Sequence, residues 1–343
     1  MQIALDAMGG DYGSEELIAG ALLAVRKTDL RVTLVGDERI LSKHLETLAP
    51  DSKTAKLINI VHSSQVIDMN EHPVDAIRKK KDASILVAFD LVRRKEADAA
   101  VSAGNSGATL AAASRKLGRL EGISRPGIAS IFPTLKKPVV LMDIGANVDC
   151  RPQHLFQFGI MASAFSRITG VENPRVGLLS IGEETGKGNS LIKETYPLLE
   201  NSSLNFIGNV EGRDVFQGEV DVIVCDGFVG NVCLKVSEGL AEAAMQMLRD
   251  EICKSMWAKI GYLLARNAFK SFKKRVDYAE YGGAPLLGID GIGIICHGKS
   301  SSHAIKNAIL EAAKMARGNI NKDILESLAT SNFVEQNIVN LET

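Results

Sequence analysis

Short apolar runs that alternate with helical patterns constrain the fold of this chain more than any other feature. Each run is rich in Val, Ile and Leu and ends in Gly, Asn or Asp. The clearest runs are "IALDAMGG", "RVTLVGD", "LINIVHSS", "DAAVSAGNSG", "PVVLMDIGAN", "VGLLSIGEE", "VDVIVCDGFVG" and "GIGIICHGKSSS". Continuous apolar strands that alternate with helices are typical of a parallel sheet covered on both faces. The sequence therefore predicts a three-layer α/β/α protein with a mostly parallel sheet.

The same alternation predicts where a ligand binds. Right-handed crossovers would bring the carboxyl ends of the strands to one edge, where open α/β sheets bind ligands. No repeat, low-complexity segment or clear linker divides residues 1–343, so we expect a single domain. Residues from about 237 to 278 differ from the rest, because their pattern predicts two long helices without an intervening strand. We expect this segment to be a helical excursion from the sheet.

Composition and charge narrow the class of protein. Hydrophobic residues make up 45% of the chain, charged residues 24%, and the net charge is −1, which argues against general nucleic-acid binding. The five cysteines form no C-x-x-C pair, so we expect reduced, mostly buried thiols. The chain starts on a strand-like run without a signal-peptide pattern, and no apolar stretch approaches the ~18–20 residues of a spanning helix. These features favour a cytoplasmic protein.

Small polar groups follow several of the predicted strands. In "SAGNSGA", Asn105, Ser106 and Gly107 lie at the start of an alanine-rich helix, where backbone N–H groups and the helix dipole favour an anion. "DIGAN" ends in Asn147, "CDGFVGN" ends in Asn231, and His297 opens "HGKSSS". Any one of these turns is ordinary α/β loop chemistry, but together they predict an anion pocket.

The stretch "LLSIGEETGKGNS" resembles a nucleotide-binding loop only superficially. Three residues separate Gly182 from the pair Gly186 and Lys187, whereas the Walker A loop needs four, and Gly188 replaces its Ser or Thr. The glycines would let the backbone approach a ligand closely, which a plain surface loop does not require. We therefore predict that this loop, with Gly186 and Lys187, is not a nucleotide-binding P-loop, and the sequence pattern leaves open which anion it holds.

Several catalytic motifs are missing from the sequence. It has no G-x-G-x-x-G after the first strand, no H-E-x-x-H, no Cys/His cluster with zinc spacing and no G-x-S-x-G elbow. The functional groups that remain at the predicted strand ends are Lys, Asn and His side chains and the backbone amides of glycines. They suit direct attack by a bound anion on an activated carbonyl, with the protein supplying position and charge stabilisation. We expect neither a cofactor nor a metal.

Six motifs together resemble one known family. They are "ALDAMGGD", "SAGNSGA", "DIGAN", "IGEE..KGN", "CDGFVGN" and "GGAPLLGIDGIGIICHGKSSSHAIKNAI", spread from residue 3 to about 310. They are similar to the motifs of the PlsX family, the phosphate acyltransferases of bacterial phospholipid synthesis. The resemblance implies a fold like that of phosphotransacetylases and isocitrate dehydrogenases, and a homodimer. It also implies transfer of an acyl group from acyl-acyl carrier protein to inorganic phosphate, giving acyl phosphate.

The predicted roles follow from that reaction. Lys187 is predicted to bind phosphate and stabilise charge, and Asn231 to donate to the phosphate or the oxyanion. His297 would orient phosphate or protonate the leaving thiolate, although a lone His at a strand end is often only structural. The predicted phosphate contacts are Asn105, Ser106, Gly107, Asn147 and Gly186.

Two basic segments predict contacts with partners. "AIRKKKDAS" contains a run of four cations that suits an acidic carrier protein, or simply a solvated helix end: Arg78, Lys79, Lys80 and Lys81. "CKSMWAKIGYLLARNAFKSFKKR" has no acid, and helical spacing places Trp257 and Leu264 opposite Arg266, Lys270 and Lys273. This helix would meet a membrane surface or pack on its neighbour or the dimer mate. We therefore expect peripheral association with the inner face of the cell membrane. The resemblance to the PlsX family implies a location near the membrane glycerol-phosphate acyltransferase that uses acyl phosphate.

Three alternative functions remain open from the sequence. A phosphotransacetylase-like enzyme would use acyl-coenzyme A as the donor with the same chemistry. A silent scaffold that recruits carrier protein would not need the strand-end motifs. A decarboxylating dehydrogenase of similar fold would need a cluster of metal-binding aspartates and a nicotinamide site, and the sequence contains neither.

Overall fold

The computed structural model describes residues 1–26, 28–48, 50–276 and 281–341, and their side chains except those of 273–276 and 332–341. Within them the strands β1 to β11 are Gln2–Asp6, Arg31–Gly36, Ile58–His62, Ala99–Ser102, Gly127–Phe132, Val139–Met142, Arg175–Leu179, Asn205–Val210, Val222–Val224, Ala284–Leu287 and Gly293–Ile295. The helices α1 to α13 are Ser14–Val25, Glu38–Thr47, Ser52–Ala55, Pro73–Lys79, Ser84–Arg93, Ser106–Lys116, Pro152–Ile168, Ser190–Glu200, Gly227–Lys254, Met256–Leu264, Arg266–Val276, Ser302–Arg317 and Ile320–Leu341.

The strands form one sheet in the order β3-β2-β1-β4-β11-β10-β5-β6-β9-β7-β8. Neighbouring strands are parallel from β3 to β11 and again from β6 to β8. The pairs β11–β10, β10–β5 and β5–β6 are antiparallel. The predicted mostly parallel α/β fold is confirmed.

The three antiparallel pairs correct one expectation. Three successive reversals make β6, β9, β7 and β8 run opposite to β1, β4 and β11, so their carboxyl ends lie at opposite edges of the sheet. The expectation that all the strand-end motifs share one edge is therefore wrong. "SAGNSG" and "HGKSSS" follow strands of one half, whereas "DIGAN", "CDGFVGN" and the loop with Lys187 follow strands of the other.

Two apolar cores lie on the two faces of this sheet. Side chains alternate along a strand, so Ile3 and Leu5 of β1 enter one core and Ala4 enters the other. Helices α1, α7 and α12 contribute to the first core, and helices α5 and α6 to the second. Burying one large aliphatic side chain in such a core contributes roughly 1.5–3 kcal/mol. This arrangement gives the predicted three layers.

The helical excursion has a different division from the one predicted. Helix α9 already begins at Gly227, directly after β9, and two shorter helices follow it, α10 and α11. The predicted pair of long helices is therefore wrong, because the chain is extended at Ser255 and leaves the helix again at Ala265. In α9 only Gly227 and Gly230 are buried, and α10 has no buried residue. In the part of the chain that the structure describes, no helix has the length and hydropathy needed to cross a bilayer.

Candidate active site

A cavity of about 220 Å³ lies where the two halves of the sheet meet. Its apolar wall includes Ile128 of β5, Ile295 of β11 and Leu234 of α9. The polar groups come from both halves: Ser106, Ser130, Asn231, Lys235, Glu238, Tyr281, His297 and Ser300. The structure thus brings together three of the predicted residues, Ser106, Asn231 and His297, across the antiparallel centre of the sheet.

A buried carboxylate supports the side of the cavity that is formed by the start of α6. Asp6 at the end of β1 accepts a hydrogen bond from Ser102 Oγ at 2.8 Å, and Ser102 Oγ accepts one from the Gly104 backbone N–H at 3.1 Å. The loops pack so closely that a Cβ on Gly9 would lie 2.7 Å from the Gly104 nitrogen. Burial raises the pKa of Asp6, against the lowering effect of its hydrogen bonds. Asp6 therefore fastens the turn that precedes α6.

At the start of α6, one residue caps the helix and the next lines the cavity. Asn105 caps this helix, since its Oδ1 accepts from the Ala108 N–H at 3.0 Å. Its Nδ2 donates to the carbonyl oxygens of Met69 at 2.9 Å and Glu71 at 3.2 Å. Both amide hydrogens of Asn105 are therefore engaged, whereas Ser106 and Gly107 are exposed at the first turn. Of these three predicted phosphate contacts, Ser106 lines the cavity.

The second wall rests on Asp143, which is fully buried. Its carboxylate accepts hydrogen bonds from the backbone N–H groups of Ile128, Ala146 and Asn147 at 3.0, 3.2 and 2.7 Å. Asn147 Nδ2 donates to Asp143 at 3.0 Å and to the Pro126 carbonyl at 2.8 Å. Burial raises the pKa of Asp143. Asn147 therefore uses both amide hydrogens within the turn, and it is not among the residues that line the cavity.

The turn at Asp143 also carries the start of α9. Asp226 caps this helix by accepting from the Val229 N–H at 2.9 Å. The Gly227 N–H donates to the Asn147 carbonyl at 2.8 Å. A Cβ on Gly230 would lie 1.9 Å from the Asp143 carbonyl oxygen, so only glycine permits this contact. The helix is thus seated directly on the turn, and Asn231 faces the cavity beside Gly145.

His297 and Cys296 follow β11 at the opposite side. The Nδ1 atom of His297 accepts a hydrogen bond from the Lys299 N–H at 3.1 Å. In the neutral ring the proton therefore lies on Nε2, which is free to donate. Burial raises the pKa of the Cys296 thiol to about 12. Cys296 is therefore a neutral thiol at physiological pH and a poor nucleophile.

Lys187 lies outside this cavity. The residue is exposed in the loop between β7 and α8, where its backbone N–H donates to the Glu184 carbonyl at 3.0 Å. Gly188 has a φ of 102°, which favours glycine, whereas a Cβ on Gly186 would meet nothing within 4 Å. The structure therefore does not bring Lys187 and Gly186 together with Asn231 and His297 in this cavity, and their roles remain predictions.

Sequence reasoning missed Lys235 and Glu238. Both line the cavity, and they lie four and seven residues after Asn231 on α9. Residues at this spacing share one face of a helix. The available signal was therefore the helical spacing from Asn231.

The basic segments have mixed environments. Arg78, Lys79 and Lys81 are exposed, but the Lys80 ammonium binds Glu71 and donates to the Val66 carbonyl at 2.6 Å. Lys80 is therefore engaged within the chain. Arg266 and Lys270 are exposed. The side chain of Lys273 lies outside the described residues.

The described part of the chain contains no group of three or more His, Cys, Asp or Glu side chains that could hold a metal ion.

The fold and the comparisons with known proteins give the class and then the family. A phosphotransacetylase from Streptococcus pyogenes has a similar fold, with a TM-score of 0.62, 16% identity and coverage of 93% of this chain and 94% of that one. The chain therefore has a fold of the phosphotransacetylase type. A family model described as "Fatty acid synthesis protein" matches residues 1–323.

Two proteins named "Phosphate acyltransferase" have similar sequences over nearly their whole length. The one from Geotalea uraniireducens is 56% identical over 329 residues, which are 96% of this chain and 94% of that protein. The one from Geobacter sulfurreducens is 54% identical over 331 residues, 96% of this chain and 95% of that protein. The chain belongs to this family of phosphate acyltransferases in fatty acid synthesis, as its motifs predicted.

Proposed function

We propose that the protein transfers a fatty acyl group from acyl-acyl carrier protein to inorganic phosphate by direct attack of phosphate on the thioester. The observation that carries this proposal is the cavity between the two halves of the sheet. It combines an apolar wall with hydrogen-bond donors on both sides, and its one cysteine among the described lining residues is a neutral thiol. An acyl thioester and a phosphate both fit these surroundings.

The reaction needs no protein nucleophile. An anionic oxygen of HPO₄²⁻ forms the new C–O bond, the carbonyl electrons move to oxygen, and the C–S bond breaks as the carbonyl forms again. The thiolate leaves and takes up one proton, while the phosphate group gives up its own, so the products are acyl phosphate dianion and free thiol. Because a thiol has a pKa near ~8–9, its thiolate leaves without strong acid assistance. The protein must therefore hold the phosphate and stabilise the oxyanion.

The surroundings of His297 favour one of its two predicted roles. Its Nδ1 lone pair accepts the Lys299 N–H, so the proton of the neutral ring lies on Nε2. This Nε2–H can donate a hydrogen bond, whereas transferring a proton to the thiolate would require the imidazolium form. His297 therefore donates a hydrogen bond to phosphate or to the oxyanion. Asn231 and the Ser106 hydroxyl are the complementary donors from the other walls of the cavity.

The proposal is tested by acyl-phosphate formation from purified protein and inorganic phosphate, with acyl-acyl carrier protein and acyl-coenzyme A offered as separate donors. We expect the carrier-protein donor to give the higher kcat/KM, with a chelator present throughout. A clear preference for the coenzyme A donor would instead support a phosphotransacetylase. No product from either donor would overturn the proposed reaction.

The proposed partners rest on exposed surfaces. Helix α9 exposes a row of apolar side chains at helical spacing, including Val232, Val236, Leu240 and Met247 at 45%, 62%, 67% and 68%. Such a row supports a homodimer, because an apolar helix face needs a partner. Trp257 and Leu264 of α10 are 81% and 84% exposed. They support peripheral contact with the inner face of the cell membrane, near the acyltransferase that consumes acyl phosphate, for a protein that is otherwise cytoplasmic.

A further inference from the structure

Helix α9 places an ion pair in the wall of the cavity. Asn231, Lys235 and Glu238 all line the cavity, and their spacing puts them on one face of the helix. Lys235 Nζ donates to Glu238 Oε2 at 2.8 Å. Within the described lining of the cavity, Lys235 is the single lysine or arginine. An anion bound here would therefore meet this ammonium.

A second ion pair on the same helix shows that the first is unusual. Lys254 and Glu251 have the same spacing of three residues and an N–O distance of 2.6 Å, with side chains 67% and 69% exposed. In the cavity pair, Lys235 is 54% exposed but Glu238 only 16%. An exposed pair contributes about 0–1 kcal/mol to stability, and burying a carboxylate adds a desolvation cost. Stability therefore does not explain why Glu238 is largely removed from water.

We propose that Lys235 binds the phosphate substrate in the cavity, and that Glu238 is the counter-ion that holds its ammonium until phosphate replaces it. This inference rests on the proposed function, since it assigns a phosphate-binding cation within the cavity to that reaction. The carboxylate and the phosphate are both anionic oxygen acceptors, so the same ammonium serves either one. Two such anions beside one cation repel each other, so Glu238 lowers the affinity for phosphate while it keeps the empty site neutral.

The geometry also explains how the phosphate would face the thioester. Lys235 lies one helical turn after Asn231, so phosphate held by the ammonium would lie beside the Asn231 amide. Ser106, from the start of α6, lines the same cavity from the other half of the sheet. Phosphate would therefore bridge α9 and α6 above the apolar wall, where the acyl group would lie.

The test compares Lys235→Gln, Lys235→Arg and Glu238→Gln with the wild type, with Lys254→Gln as the matched control from the exposed pair. Two quantities are measured: the KM values for phosphate and for the acyl donor, and the binding of inorganic phosphate by calorimetry without a donor. Loss of a charged hydrogen bond typically changes an equilibrium constant by about 10–100-fold. We expect Lys235→Gln to raise the phosphate KM and Kd on that scale, and Lys235→Arg to raise them less. Glu238→Gln should lower both, and Lys254→Gln should leave them within about twofold.

Each contrary outcome has a distinct meaning. Phosphate constants within about twofold of wild type in Lys235→Gln would overturn the assignment of this lysine. A higher phosphate KM in Glu238→Gln would overturn the counter-ion role. A purely structural role would raise the donor KM equally and lower the melting temperature. If the wild type binds phosphate, Lys235→Gln does not, and neither forms acyl phosphate, then the site stands and the proposed reaction is wrong.

Discussion

Two buried carboxylates, Asp6 and Asp143, lie behind the two walls of the cavity. Asp143 accepts backbone N–H groups of its own turn, whereas Asp6 accepts the Met8 N–H and the Ser102 hydroxyl. Burial raises the pKa of each carboxyl group. A buried acid with a raised pKa holds its proton more tightly in the folded than in the unfolded chain. The protein therefore has a pH-dependent stability term at each turn.

We predict that Asp6→Asn removes one such term. Below the ordinary pKa of 3.8 the folded and unfolded states are equally protonated, and above it the unfolded chain loses its proton first. The free energy of unfolding of the wild type therefore falls relative to the variant as the pH rises towards the folded-state pKa, by at most about 1.4 kcal/mol per pH unit. Urea denaturation of both proteins between pH 4 and pH 8 measures this difference. A constant difference across the range would show that Asp6 titrates normally.

We also predict that Lys187→Ala lowers the turnover of acyl-phosphate formation. Lys187 lies outside the cavity, so its predicted role requires the loop to bring this ammonium to the bound phosphate and the oxyanion. Its loss should then cost ~10²–10³ in kcat, as for a comparable electrostatic donor. Lys187→Arg should restore activity only in part, because a planar guanidinium places its charge differently. The fold should survive, since the residue is exposed. Steady-state kinetics at several phosphate concentrations test this, and an Ala variant within threefold of wild type would show that the loop is only a connector.

Residue types were more predictable than their tertiary roles. "CDGFVGN" and "HGKSSS" pointed to Asn231 and His297 because open α/β sheets bind ligands at the carboxyl ends of strands. Both residues line the cavity, and their roles remain predictions. Sequence could not show that Asn105 donates its amide hydrogens to the carbonyls of Met69 and Glu71. Nor could it show that Asn147 donates to the distant Pro126 carbonyl. For the same reason, the sequence could not show that Lys80 forms an ion pair with Glu71, because the folded chain brings these two side chains together.

At the scale of elements, the contact between α9 and the turn at Asp143 decides the shape of the cavity. We predict that Gly230→Ala destabilises the protein by at least about 1–3 kcal/mol and lowers activity, because a Cβ would lie 1.9 Å from the Asp143 carbonyl oxygen. Gly239 on the same helix is the control, since a Cβ there meets nothing within 4 Å. Gly239→Ala should instead stabilise the helix by roughly 0.5–1 kcal/mol. Chemical denaturation and turnover of both variants check this, and equal behaviour would mean that α9 shifts freely.

Eight of the eleven described strands were predictable from the sequence, whereas β5, β8 and β10 and the direction of the strands were not. An apolar run such as "VVLM" of β6 reads the same whether its neighbour in the sheet is parallel or antiparallel. The reversal therefore appears only when β10 and β5 pair between the two halves. Helix ends in the excursion were equally hidden, because Ala265 is a good helix former and yet ends α10.

At the scale of the whole molecule, the cavity lies at the centre of the sheet, and the described part of the helical excursion carries exposed apolar side chains. The two basic segments can be compared by making the same change of charge in each, which tests which one contacts the membrane and which one contacts the carrier protein. We predict that changing Arg266, Lys270 and Lys273 to Glu reduces binding to anionic liposomes, since each cation contributes up to ~1 kcal/mol at low salt. Changing Arg78, Lys79 and Lys81 to Glu should instead raise the KM for acyl-acyl carrier protein, because an acidic partner would lose its complementary charges.

The two triple variants serve as controls for each other, since each reverses three positive charges at one segment only. Liposome co-sedimentation at physiological salt and the KM for the acyl donor are measured on both, together with the molecular mass in solution. If the protein contacts the membrane through α10 and α11, only the variant at Arg266, Lys270 and Lys273 should lose liposome co-sedimentation. Its turnover in solution should stay close to that of the wild type. An equal loss of liposome binding in both variants would mean that the net charge of the protein, rather than α10 and α11, determines the binding. If the wild type is a dimer in solution and the first variant is not, this face packs against a second copy, because a face buried between copies is not available to lipid.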